Sequence, residues 1–238
     1  TTLPTGTAWS GEVSYRPNAP VQLNTTDILF SGLTPLNPNV SALQGQPGQD
    51  QQGYRRKEVT QLQTTFTHFF DQVMGAARLT LVGEVGYTHV GGLESNSEAR
   101  YGRDPSYGPG PLPGGQCQVL NTGTLAGGPQ NNVSRYCEND GFTTANSWGY
   151  RGRAIWEYND AIAGVNLKPN VAWSHDVEGY SPGPGGNFEE GRKAVSLGVD
   201  AEYQNTYTAS LAYTNFFDGK YTTVDDRDFV ALSVGVNF

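Results

Sequence analysis

Cysteine is nearly missing from this 238-residue chain: there are two, with one methionine and three histidines. That supply is too thin for a thiolate or histidine-rich metal site, so no metal or other cofactor is expected. Positive charge is short as well, 15 Lys and Arg against 23 Asp and Glu, for a formal net charge of −8. A chain of that sign suits nucleic acid poorly, and none is expected as a partner. Long apolar runs are absent. Mean hydropathy is −0.50 and no stretch approaches the length of a spanning helix, which excludes helical membrane insertion. A strand-built barrel is not excluded, because lumen-facing and loop residues dilute the lipid-facing ones. No export signal is present, which leads us to expect a mature chain or a piece of one.

What is abundant is glycine (31), proline (14), tyrosine (13) and phenylalanine (10). The pattern is clearest in residues 228–238, D-F-V-A-L-S-V-G-V-N-F. Val230, Leu232, Val234, Val236 and Phe238 share one parity; Ala231, Ser233, Gly235 and Asn237 share the other. Strand side chains alternate between faces, so this segment has one apolar and one small or polar face. About 9–11 residues suffice for a tilted strand to cross a bilayer. A terminal aromatic closing such a strand resembles the assembly signal of bacterial outer-membrane proteins, which gives Phe238 that expected role.

The alternation recurs. Strands are predicted near 7–16, 57–70, 77–88, 147–158, 163–174, 194–203, 206–215 and 228–238. Pro169 weakens the fifth by removing a ladder donor. Short links at 71–76, 159–162 (a turn at Asn159-Asp160) and 204–205 alternate with long ones at 17–55, 89–146, 175–192 and 216–227. Short periplasmic turns and long extracellular loops are the rule in outer-membrane barrels. Aromatics fall at both strand ends: Trp9, Phe70, Trp156, Tyr158, Tyr203 and Tyr207 at one, Tyr15, Tyr87, Trp148, Tyr150, Trp173 and Tyr213 at the other. Two such girdles suit a bilayer and have no purpose in a soluble sandwich. The expected fold is all-β: one transmembrane, antiparallel, up-and-down barrel domain over 1–238, in the outer membrane of a Gram-negative bacterium.

The stretches SGEVSYRPNAPVQLNTTDILFSGL (Ser10–Leu33) and VTQLQTTFTHFF (Val59–Phe70) resemble a family of large proteobacterial outer-membrane proteins known only as a domain of unknown function. Its members are often encoded near RND-type exporters or lipid- and sterol-handling genes, and are about twice this length. The resemblance implies a C-terminal portion of such a protein and carries over no site residues. The interior agrees. An eight-stranded lumen is filled by its own side chains, whereas the inward positions of the last three strands are mostly Ser, Gly, Ala and Thr. A larger barrel, of which these are the last eight strands, is therefore expected.

Ten ionisable residues are predicted to face the lumen: Glu12, Arg16, Arg78, Glu84, Arg151, Arg153, Glu157, Lys168, Asp200 and Glu202. One reading is an eyelet in which Arg151/Arg153 faces Asp200/Glu202 across a transverse field. The other is a set of paired charges that hold the interior together. Val21, Leu23, Ile28, Leu29, Phe30 and Leu33 are too apolar for a free loop, and either fold inward as a constriction or pack on the barrel mouth. Cys117 and Cys137, an even pair in an exported chain, read as a disulfide. His89 and the pair His175-Asp176 fall at the outer rim, where barrel hydrolases place catalytic groups, but no nucleophile motif accompanies them. Asp225, Asp226 and Asp228 lack the spacing of a calcium loop.

The leading expectation is a channel or transport component for small molecules, hydrophobic ones included. The rival is a structural or surface-interaction barrel without conductance; an outer-membrane hydrolase comes third, and no enzyme is expected. Expected partners are outer-membrane lipid and lipopolysaccharide, the barrel-assembly machinery, and an exporter system or other chains that complete the barrel.

Overall fold

The computed structural model describes residues 1–125, 135–183 and 185–237. Phe238, and with it the expected assembly signal, lies outside the described residues. Eight strands follow one another: β1 Ala8–Gln22, β2 Tyr54–Asp71, β3 Arg78–Gly91, β4 Asn146–Ile162, β5 Val165–Glu178, β6 Lys193–Tyr203, β7 Tyr207–Phe217 and β8 Phe229–Val236. They form one sheet in chain order, each strand antiparallel to the next. Among the described residues no ladder joins β1 to β8, so the sheet is open rather than a closed eight-stranded barrel.

Several strands run further than their alternation predicts. β1 passes Arg16 through a bulge and pairs Ala19, Val21 and Gln22 with Lys57, Arg55 and Tyr54, so residues 17–22 are strand and not loop. Pro17 and Pro20 sit at and beyond that bulge, where a missing ladder donor costs least. The expected Asn159-Asp160 turn is also displaced. Asp160, at φ 48°, belongs to a second irregularity between Tyr158 and Ile162, and Ile162 still pairs with Val165. The reversal is made by Ala163 and Gly164, at φ 50° and 85°, the left-handed pair that a two-residue hairpin demands.

The register divides the sheet into two faces. One carries the polar rows Ser10–Thr65–Glu84–Arg151–Ser174 and Lys168–Asp200–Ser210–Ser233. The other carries Val13–Leu62–Tyr87–Trp148 and Val199–Leu211–Leu232. That apolar face is open to its surroundings: Val13 is 68 % exposed, Leu197 58 % and Leu232 73 %.

The buried core lies elsewhere, in the long connections at one end of the sheet. Val21, Leu23, Leu43, Val59, Val90, Ala99 and Tyr101 form one cluster. Phe30, Val40, Leu112, Leu120 and Tyr136 form a second around Cys117, which is disulfide-bonded to Cys137. A short helix, α1 Thr25–Ser31, joins the two. Asn24 caps it by accepting a hydrogen bond from the Asp27 amide, and the Asp27 carboxylate in turn accepts from Nη2 and Nε of Arg100 at 2.6 and 2.8 Å. Arg103 lies between the rings of Phe142 and Tyr221, at 4.6 and 5.0 Å, and donates to the carbonyls of Glu138 and Asp140. It thereby ties the β3–β4 connection to the β7–β8 connection, and burial lowers its guanidinium pKa to about 10. Val21, Val59 and Val90 share the polar face's side of the sheet by register, so this cap closes over the top of that face.

Candidate functional site

All ten ionisable residues predicted to face a lumen lie on the polar face by register. They occupy three levels. Glu12, Arg16, Glu84 and Arg151 are nearest the cap, Arg153 is midway, and Lys168, Asp200, Glu202, Arg78 and Glu157 are toward the short turns.

The upper level is built around an element that the sequence pattern did not single out. The β5–β6 connection, described over 179–183 and 185–192, folds down over the polar face as a hairpin. Tyr180 bridges Glu189, and the Ser181 amide donates to the Phe188 carbonyl at 2.9 Å. The hydroxyls of Ser181 and Ser147 lie 2.9 Å apart, fastening the hairpin to β4. Its base is Asp176, at the end of β5 and only 1 % exposed. One carboxylate oxygen takes Arg192 at 2.6 Å and the other takes Arg151 at 2.8 Å. Arg192 also pairs with Glu189 at 3.1 Å.

Phe188 lies on the hairpin's returning arm, with its ring against Gly86 and Gly149, which are direct partners in the β3–β4 register. A Cβ on Gly86 would come within 2.9 Å of the ring, and one on Gly149 within 3.0 Å of the ring and 2.6 Å of the His175 carbonyl, so Gly149 requires glycine and a larger residue at position 86 would displace the ring. The Arg151 guanidinium stands 5.9 Å from the same ring. Beside it is a cavity of about 290 Å³ lined by Glu12, Gln63, Glu84, Arg151, Asn187 and Phe188, among others. Glu84 accepts from Gln63 at 2.7 Å and from Thr65 at 3.3 Å. Arg16 donates to Gln61 and lines an adjoining hollow nearer the cap.

The whole chain, residues 1–238, matches the model of a family described as proteins of unknown function, DUF1302. The chain belongs to that family. No curated protein and no solved structure matches it.

In this DUF1302 chain the predicted eyelet is not assembled as expected. Arg151 turns toward the cap and Asp176, not toward Asp200 and Glu202. Arg153 reaches Asp200 only through Asn170, whose amide bridges them at 3.3 Å on each side. The reason is distance along the strands: Asp200 stands opposite Lys168 in the register, four residues from Ala172, the partner of Arg153. Arg78 pairs with Asp71 at 3.5 Å, at the short-turn end.

The apolar segment divides. Val21, Leu23 and Ile28 join the first cap cluster and Phe30 the second, whereas Leu29 and Leu33 are exposed at 71 % and 47 %. His175 and Asp176 are consecutive strand residues, so they face opposite sides, and His175 meets Tyr150 of the apolar face edge-on at 5.6 Å. Asp228 accepts from Asn215, Tyr213 and the Phe216 amide, and among the described residues no acidic or histidine cluster is arranged to hold a metal. The hairpin was missed because one aromatic in a Gly/Pro run carries no periodicity. The available signal was the glycines, Gly86 and Gly149, at inward positions of two adjacent strands.

Proposed function

We propose that this sheet is part of the wall of an outer-membrane β-barrel, with its polar face lining a path for small molecules. The observation that carries the reading is the exposed apolar face. Fully burying an aliphatic side chain is worth about 1.5–3 kcal/mol, so a whole strand face of Val, Leu and aromatics left in water would be strongly unfavourable. Hydrocarbon removes that cost. The aromatics at both strand ends project from the same face, which suits the two bilayer interfaces. Every backbone group of a spanning strand must be paired, so the free edges of β1 and β8 close onto further strands, from the rest of the polypeptide or from another chain. Lipid, lipopolysaccharide and the barrel-assembly machinery are then partners by necessity, and an exporter system fits a transport role.

The cap over the polar face favours a second reading, a structural or surface-interaction barrel closed to solutes. Single-channel recording of the full-length protein in planar bilayers separates the two. Discrete conductance is expected; its absence from correctly inserted protein would favour the closed barrel.

A further inference from the structure

We propose that the 179–192 hairpin makes a cation-selecting constriction, one suited to small organic cations that carry an apolar group. This rests on reading the polar face as a lumen.

The argument is a charge balance at one level of the sheet. Arg151 and Arg192 are neutralised there by Asp176 and Glu189, in ion pairs of 2.6 to 3.1 Å. The cavity beside Phe188 keeps two further charged groups, Glu12 and Glu84, and both are carboxylates. Gln63 stands opposite Glu12 in the register and donates to Glu84, and Arg151, the partner of Glu84 on β4, is already taken by Asp176. With Arg16, which donates to Gln61 on the cap side, four carboxylates (Glu12, Glu84, Asp176, Glu189) stand against three guanidinium groups (Arg16, Arg151, Arg192), an excess of one negative charge around a space of about 290 Å³, enough for a small ligand. Carboxylate rings of this kind set cation preference in pores.

Phe188 adds the second element of recognition. Its ring is fixed between the hairpin and the Gly86–Gly149 floor, so it presents a rigid aromatic wall to the cavity. An aromatic face attracts organic ammonium groups and packs well against their apolar substituents. The hairpin itself holds its position through the Ser181–Phe188 backbone bond, the Ser181–Ser147 contact and the Asp176 ion pairs. None of these uses Glu12 or Glu84, and Gln63 and Thr65 both bond the same oxygen of Glu84, Oε2, so the carboxylates keep acceptor capacity for a solute.

The test uses the full-length protein in planar bilayers under a potassium chloride gradient, with benzyltrimethylammonium as probe. The wild type should prefer cations, and micromolar to millimolar probe should block its current. The Glu12→Gln/Glu84→Gln double variant should bring the cation-to-anion permeability ratio to unity or below. Phe188→Ala should weaken block by the probe, and the glutamate variant provides an arm independent of hairpin packing. Channels that prefer anions, or a ratio unchanged in the double variant, would overturn the inference while leaving the pore intact. Undiminished block of Phe188→Ala would remove the aromatic wall from it. No current from inserted wild-type protein would overturn the pore reading itself, and the constriction with it.

Discussion

The loop cap and the strand wall obey opposite rules. In the cap, Asp27 and Arg100 are 0 % and 1 % exposed and paired, Asn24 is fully buried with both ends of its amide bonded, and valine, leucine and tyrosine lie inside. In the wall, valine and leucine are exposed, Val234 at 76 % and Leu232 at 73 %, while Ser, Thr, Glu and Arg lie on the opposite face. On the membrane reading proposed above, the two parts meet two solvents. The cap is packed as a water-soluble protein is, and the exposed apolar face of the wall is what a hydrocarbon surrounding would reward.

The sharpest way to break the cap is to unpair its buried ions. Removing one partner of a buried pair typically costs about 3–5 kcal/mol, because the remaining charge is left without compensation. Asp27→Ala should therefore open the cap, since it also removes the acceptor for the Ala42 amide. Limited proteolysis should cut connections 23–53 and 92–145 rapidly in the variant, while far-ultraviolet circular dichroism keeps its strand signal. Loss of both signals together would mean that cap and wall are one cooperative unit.

The wall is tested by putting a charge on each side. Val199 lies in mid-strand on the apolar face, opposite Pro169 and Leu211. Val199→Arg should cost about 2–4 kcal/mol in refolding titrations into lipid vesicles. The neighbouring Gly198→Ser faces the polar side, where a new Cβ would meet only the amide end of Asn170 at 3.1 Å, a group able to swing aside. It should be tolerated. If the two variants ranked the other way, the assignment of faces to lipid and water would be wrong.

Much of the wall was legible because a period of two survives in every strand, and the ten inward charges follow from parity alone. Strand ends were not legible, because bulges reset parity: Arg16 to Ala19 shifts the end of β1, and Asp160 moves the β4–β5 turn to Ala163-Gly164. The disulfide followed from having a single cysteine pair. The partners of the charges did not follow, because they depend on how a non-periodic loop folds back. Asp176 could be placed beside His175 in sequence, yet only the hairpin explains why it is buried between two arginines. Phe188 and the Gly86–Gly149 floor are contacts between residues far apart in the chain, and no local pattern announces them.

The smallest expected effect distinguishes the two regions by acid. Glu94, just beyond β3 in the cap, takes Arg55 at 2.8 Å and Lys57 at 2.7 Å and accepts from the Tyr101 hydroxyl. Burial alone would push its carboxyl pKa up, but the hydrogen bonds from Lys57, Tyr101 and Arg55 outweigh that and bring it to about 2 from 4.5. A carboxylate whose pKa is depressed on folding binds fewer protons folded than unfolded. Its stabilisation is therefore complete above pH 4.5 and is lost as the pH falls through about 2. Glu94 is partly exposed, so after solvent screening the effect is about 1 kcal/mol or less. Cap proteolysis measured from pH 5 down to pH 2 should accelerate in the wild type, using an acid-stable protease. Glu94→Gln should start faster at pH 5 and change less on acidification, and strand content should stay level in both. An acid response of the same slope in Glu94→Gln would assign it to other carboxylates of the cap.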